Sequence, residues 1–284
     1  MTADAKPMES SGRRRSPAVT REIGYREPPR MVSDEAVERL AARLCELVEG
    51  YAAAHPDAAI ASHGGRAGEA VREFLAIYPD RPVPDNKGGN HFNGSLWIFV
   101  ITRLLSPRLI IESGVFRGHT TWLLRQASPA AEIHSFDVDL GNLVHRDADA
   151  VLHECDWSEV ELPAADGTDS LAFFDDHISH ARRIGEAHDR GFRRLLFDDN
   201  FSADTLYAVG TPPVPTVDML LDDGLETGTE LAWLRNGKRY TYRYDDADAD
   251  RARRLIAYSA VLPDAAPITR YPPGSRLTEV RLVP

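Results

Sequence analysis

Short apolar runs recur through the middle of this chain, at Arg108–Glu112, Glu132–Asp137, Val151–Cys155, Ser170–Asp175 and Arg193–Asp198. Each is too short for a stable helix, and most run straight into glycine, acidic or amide residues. Amphipathic stretches lie between several of them, notably His119–Ala127 and Ile178–Arg190. A short run that is apolar without alternation is what a strand covered on both faces needs. Strands alternating with helices are the βαβ pattern of a doubly wound parallel sheet. We therefore expect an α/β fold of the Rossmann-like kind, with ligands bound beyond the carboxyl ends of the strands.

The flanks are different. From Ser33, a helix N-cap candidate, Val37, Leu40, Leu44, Leu47, Val48 and Tyr51 recur at helical spacing. A second helix is expected over Ala67–Ile77 and a third over Phe92–Leu105. The stretch between them, from Tyr78 to Asn90, is dense in Pro, Asp, Asn and Gly and predicts an extended linker. A boundary near residue 85 would divide a helical cap and linker, 31–89, from the main sheet domain, 90–284. Residues 1–30 are rich in Ser, Arg, Pro and Glu, lack hydrophobic periodicity and predict a disordered tail. Toward the end, Leu231–Arg235 and Arg239–Tyr244 flank Asn236-Gly237, a strong hairpin signal. A helix over Ala247–Ser259 and a last strand over Leu277–Val283 would complete the sheet.

With 33 basic against 44 acidic side chains the formal charge is -11, which argues against a nucleic-acid binder with its basic face. Small molecules are the expected partners, and a homo-oligomer is left open. Cys45 and Cys155 are the only cysteines, no disulfide framework, as in a reducing cytoplasm. The start carries Arg13-Arg14-Arg15 with no apolar stretch after it, and no run reaches the roughly 20 residues of a membrane span. No secretory signal and no membrane association are expected.

Chemistry-bearing residues collect at the ends of the apolar runs. In Glu112-Ser113-Gly114-Val115-Phe116-Arg117-Gly118, the strand passes into a glycine turn and then a helix. Gly114 and Gly118 allow a tight turn and close approach to a ligand, but Phe116 stands where a dinucleotide fingerprint wants its second glycine. That disfavours NAD and favours a cofactor without phosphates. Glu112 could meet a cationic amino-acid group, Asp137 two ribose hydroxyls and Asp156 an adenine amino group, with Trp157 available to cover the ring. S-adenosylmethionine has all these features. Two further strand ends, Phe173-Phe174-Asp175-Asp176-His177 and Leu196-Phe197-Asp198-Asp199-Asn200, deliver oxygen donors of the kind that hold a hard divalent cation.

On these residues, and on Phe136-Asp137-Val138-Asp139 and His119-Thr120, the stretch from about 90 to 200 resembles the class I S-adenosylmethionine-dependent methyltransferases. It is similar in particular to the metal-dependent O-methyltransferases of the caffeoyl-CoA, catechol and macrolide-sugar types. The resemblance implies a methyltransferase sheet and a cofactor site drawn from Glu112, Gly114, Phe116, Gly118, Thr120, Asp137, Asp156 and Trp157. It implies a divalent ion, magnesium first, on Asp175 and Asp199, with either Asn200 or Asp198 as the third ligand. The ion would bind and acidify a hydroxyl of a small molecule such as a sugar or catechol. The catechol enzymes carry a lysine three positions after the first aspartate, where this chain has Ile178. The base would then be His177, with His180 or Asp176 as alternatives. Residues 201–230, with the helical cap, would form a substrate lid. Two rivals stay open: a metal-independent N- or O-methyltransferase, and a nucleotide or nucleotide-sugar binder that transfers no methyl group.

Overall fold

In the computed structural model, residues 33–284 are described, apart from 168, 223, 246 and 275. The predicted tail over residues 1–30 lies outside the described residues. The chain begins with helices α1 (Asp34–Ala54), α2 (Ala67–Ile77) and α3 (Phe92–Leu105), followed by strand β1 (Leu109–Ser113), helix α4 (His119–Ala127) and strand β2 (Glu132–Phe136). Then come β3 (Val151–His153), β4 (Ser170–Phe174), α5 (His180–Asp189) and β5 (Arg194–Phe197). The remainder is α6 (Val217–Leu220), the hairpin β6 (Glu230–Arg235) and β7 (Lys238–Arg243), α7 (Ala247–Leu255), β8 (Ile256–Val261), α8 (Ala266–Thr269) and β9 (Thr278–Leu282).

The main sheet has seven strands in the order β3-β2-β1-β4-β5-β9-β8. The pairs from β3 to β5 are parallel, and β9 runs antiparallel to both of its neighbours. Strand order reverses between β1 and β4, so the carboxyl ends of these two strands open a crevice for a ligand. The sheet is therefore doubly wound, as expected.

Alternation along each strand feeds two cores. Ile110, Ile133, Leu171, Phe173 and Leu196 face one side, where they pack with α1, α2, α3 and α4. Leu109, Ile111, Ala172, Phe174, Leu195 and Phe197 face the other, with α5, α6 and α7. The helical cap thus covers one face of the sheet and shares its core. α3 is buried on almost every side, because α2 and α4 flank it over the sheet.

Strand β3 ends at His153, two residues short of the expected Cys155, and a larger departure follows the hairpin. The helix predicted to Ser259 stops at Leu255, and the chain continues directly as edge strand β8. Leu255, Ile256 and Ser259 fit helical spacing, but pairing with β9 from Ile256 to Val261, with a bulge between Ile256 and Tyr258, decides the outcome. The hairpin forms its own two-stranded sheet, with Asn236 and Gly237 both at positive φ (51° and 77°), the geometry of a type I′ turn. No helix among the described residues is long and apolar enough to cross a membrane.

Candidate functional site

Phe174 of β4 and Phe197 of β5 stand in register, so the chain emerges from the two strands side by side as Asp175 and Asp198. Backbone hydrogen bonds carry the pairing one residue further: Asp175 N donates to Ser113 O (2.8 Å) and Asp198 N to Phe174 O (2.9 Å). Immediately beyond, His177 and Asp199 adopt positive φ (57° and 53°), a conformation uncommon for residues with a Cβ. These turns bring ligand atoms of Asp175, His177 and Asp199 within 4.8 Å of one another, with His177 Nδ1 3.4 Å from Asp199 Oδ2. The Asn90 amide donates to Asp175 Oδ2 (3.3 Å) and Asp198 Oδ2 (3.4 Å), bridging the two carboxylates from the linker.

Burial, and then the neighbouring charges of Asp198, Asp199 and Asp176, push the Asp175 carboxyl well above the usual range. Burial pushes Asp199 up to about 6, opposed by the Arg235 guanidinium from β6. A group of hard carboxylate oxygens with one imidazole, short of positive charge, is chemically matched to a divalent cation.

Three expected participants are committed elsewhere. Asn200 is fully buried and turned away: its amide donates to Asp218 Oδ1 and Thr278 Oγ1 (both 2.8 Å), and its carbonyl accepts from Asp218 N (2.8 Å). It pins α6 to β9 and so points away from the cluster, while the Asp198 carboxylate stays beside it, accepting from the Asn90 amide (3.4 Å) and from Asp199 N (3.0 Å). Asp176 accepts from Ser113 Oγ (2.5 Å), Ile178 N (3.0 Å) and Arg183 Nε (2.9 Å), which removes it as a base. His180 is buried with Nδ1 accepting from Val217 N (3.1 Å), and desolvation holds it down at about 3. His177 is the remaining imidazole at the cluster. Ser179, not His177, caps the helix that follows, its hydroxyl accepting from Arg182 N.

The glycine turn lies against this cluster. Gly114 has φ 100°, and a Cβ there would sit 2.3 Å from the Asp175 carbonyl oxygen, so only glycine allows the β1 and β4 ends to touch. Gly118 (φ 81°) likewise passes close under the His145 carbonyl. Asp137 follows β2 and holds the turn: Oδ2 accepts from Val115 N (3.0 Å) and Phe116 N (2.8 Å), and Oδ1 from Asp139 N (3.0 Å). A cavity of about 400 Å³ opens here, with Gly114, Phe116, Asp137, Asp156, Asp175 and His177 in its wall.

Other expected cofactor contacts lie behind that wall. Glu112 is fully buried under α4, one carboxylate oxygen accepting from Thr121 Oγ1 and Ser135 Oγ (both 2.6 Å) and the other without a hydrogen-bond partner among the described residues. Burial raises it to about 7. It faces the core side of β1 and not the cavity, because strand alternation sends Ile110 and Glu112 to the same face. Thr120 is buried on α4 and is not among the residues that line the cavity. Trp157 cannot cover a ring in the cavity: it is fully buried against Phe174 and Phe192, its indole N–H donating to Glu186 (2.9 Å).

Asp156 does line the cavity but is held by Arg183, Nη2 to Oδ2 at 2.8 Å and Nη1 to Oδ1 at 3.1 Å. Burial opposes its ionisation, yet hydrogen bonds from Arg183 and Ser158 hold the carboxyl well below the usual range. Arg183, only 1% exposed, also pairs with Asp176 and Glu186. It, Asn90 and Arg235 act at this site without having been singled out from the sequence. A signal for Arg183 exists: with His180, Ile184 and Ala187 it occupies the i, i+3, i+4, i+7 face of α5 that is buried.

No known protein family matches the sequence, and no curated protein matches it. Among solved structures, the chain aligns with the O-methyltransferase TomG from Streptomyces achromogenes, in complex with SAM (TM-score 0.42, 12% identity, 77% of this chain and 89% of that one). It aligns with SAH-bound Podospora anserina methyltransferase PaMTH1 (TM-score 0.40, 14% identity, 89% and 97%) and with CmcI with Mg-SAM (TM-score 0.41, 15% identity, 68% and 72%). Likenesses at these identities and scores do not carry an activity across.

Proposed function

We propose that the protein is a class I S-adenosylmethionine-dependent methyltransferase that acts, with a divalent cation, on a hydroxyl of a small molecule. The observation that carries this reading is a single cavity whose wall holds both the glycine turn with Asp137 and the Asp175–His177 cluster. A cofactor lying on the turn and an acceptor held at the cluster would face each other across it, the proximity that methyl transfer requires. Asp175 and Asp199 would hold the ion, with Asp198 beside them; when bound, it would lower the pKa of an acceptor hydroxyl. His177, 47% exposed at its side chain and the one imidazole of the cluster, is placed to take the hydroxyl proton or to join the ligands. Asp137 fixes the turn and, with its carboxylate at the cavity wall, is the group within reach of a ribose diol. Arg183 keeps Asp156 ionised and holds both Asp156 and Asp176 in place in the cavity wall.

The test is thermal unfolding with S-adenosylhomocysteine, with magnesium and with a chelator, since a ligand of the native state raises Tm. The product should raise Tm, and magnesium should add to the shift. Asp137→Ala should weaken S-adenosylhomocysteine by about tenfold or more, through loss of charge-assisted hydrogen bonds. A shift indifferent to chelator would favour metal-free transfer. Absence of any shift with S-adenosylhomocysteine, alongside a shift with a nucleotide, would replace methyl transfer by nucleotide binding.

A further inference from the structure

At the opposite edge of the sheet, by the amino ends of β4 and β5, a second cavity of about 240 Å³ lies between the sheet and residues 56–62. Strand register sets its charged wall in one row: Arg194 of β5 stands opposite Arg281 of β9, which stands opposite Tyr258 of β8. In the next row Leu196 is opposite Glu279. Directly opposed residues share a sheet face, so two guanidinium groups meet on neighbouring strands, an arrangement that like-charge repulsion disfavours. Arg281 is relieved by Asp57 Oδ1 at 2.8 Å and by the Tyr258 ring. Arg194 is half-buried, and its guanidinium has no hydrogen-bond or ion-pair partner among the described residues.

Two carboxylates lie near it without contacting it, Asp169 and Glu279. Glu279 is already engaged, accepting from the Tyr51 hydroxyl (2.6 Å) and from Ala59 N (3.1 Å). His63 nearby is held below its ordinary value by burial, then by the charges of Arg66 and Arg194. Apart from Ser62 and Tyr258 the rest of the wall is apolar and includes Ile101, Leu105 and Leu171.

We propose that this cavity binds a small monocarboxylate, its acid group on Arg194 and its apolar body on Ile101, Leu105 and Leu171. A guanidinium matches a carboxylate in a two-bond fork, and a half-buried cation without a partner gains most from one. A dianion such as phosphate fits poorly, because Asp57 and Glu279 in the same wall repel a second negative charge and the apolar floor offers it nothing. The volume falls below the roughly 300 Å³ at which drug-sized ligands begin, which limits the body to about one small ring or branched chain. The cavity is at the amino edge of the sheet and shares no lining residue with the carboxyl-edge cavity.

Calorimetric titration of the full chain with benzoate tests this, with benzyl alcohol and inorganic phosphate as controls. Benzoate should saturate near about 1 mM, with both controls at least about tenfold weaker. Arg194→Met should weaken benzoate by about tenfold or more, and Arg194→Lys, which keeps the charge but loses the fork, by less. Far-UV circular dichroism melts verify that each variant folds, and Arg194→Lys serves if Arg194→Met does not. Benzoate heats that never saturate would overturn the proposal. So would saturable binding that both Arg194 variants leave within about twofold of the parent, or phosphate binding as tight as benzoate.

Discussion

Replacing Arg183 by Ala should lower stability by about 3–5 kcal/mol, the scale seen when one partner of a buried ion-pair network is removed. Its guanidinium is buried among Asp156, Asp176 and Glu186, all within 2.8 Å of it. Without it, three carboxylates of low exposure would be left without their cation, and two of them form part of the carboxyl-edge cavity wall. The loss should be read from urea denaturation at neutral pH, and moderate salt should change it little, because the pairs are shielded from solvent ions. Arg183→Lys should recover only part of it: one ammonium cannot reproduce the fork to Asp156 together with the bonds to Asp176 and Glu186. An Arg183→Ala variant within 1 kcal/mol of the parent, a limit set about threefold below the expected effect, would mean that water already solvates these carboxylates.

The contrast between what the sequence revealed and what it concealed follows from what each signal depends on. Strands β1, β2, β4 and β5 lie within one residue of their predicted bounds, because a run buried on both faces must be apolar throughout and ends where polar residues begin. The Ala67–Ile77, Phe92–Leu105 and His119–Ala127 helices match residue for residue, since glycine, proline and serine punctuate their ends. That Asp175 and Asp199 come close was legible for a related reason, since neighbouring parallel strands end side by side; His177, read from the sequence as a base, stands with them.

Side-chain direction was not legible. Glu112, Asn200 and Trp157 sit at plausible positions along the chain, but their contacts come from Thr121, Asp218 and Glu186, on helices whose packing no local pattern specifies. Motif matching places a residue near a site, while a single residue of strand alternation decides whether it enters the cavity or the core. Arg183 was concealed by its type, because an arginine on an amphipathic helix ordinarily marks the solvated face. Its position on the apolar face is informative only beside the acidic strand ends that need a counter-charge.

The second large effect has the opposite sign: Asp175→Asn should make the metal-free protein more stable at pH 8, by about 1–3 kcal/mol, while weakening cation binding. Asp175 and Asp199 both titrate above ordinary carboxyls in the folded state, the first well above and the second at about 6. Between the unfolded value near about 4 and these raised values the native state binds more protons than the unfolded state, so stability falls as pH rises. It is fully present below about pH 4 and is lost as pH passes the folded values, at up to about 1.4 kcal/mol per pH unit for each excess proton. Asparagine removes one charge from the repulsion with Asp198 and Asp199 and leaves an amide that can still meet Asn90. Urea denaturation of parent and variant at pH 5 and pH 8, each with chelator and with magnesium or manganese, separates the contributions. The parent should lose stability from pH 5 to pH 8 in chelator and regain it with the ion, through binding to the native state alone. The variant should show a flatter pH profile and a smaller response to the ion. Equal destabilisation of Asp175→Asn at both pH values, with a parent indifferent to either ion, would mean that the carboxylates are held for structure. The cluster could then no longer be taken as a cation site.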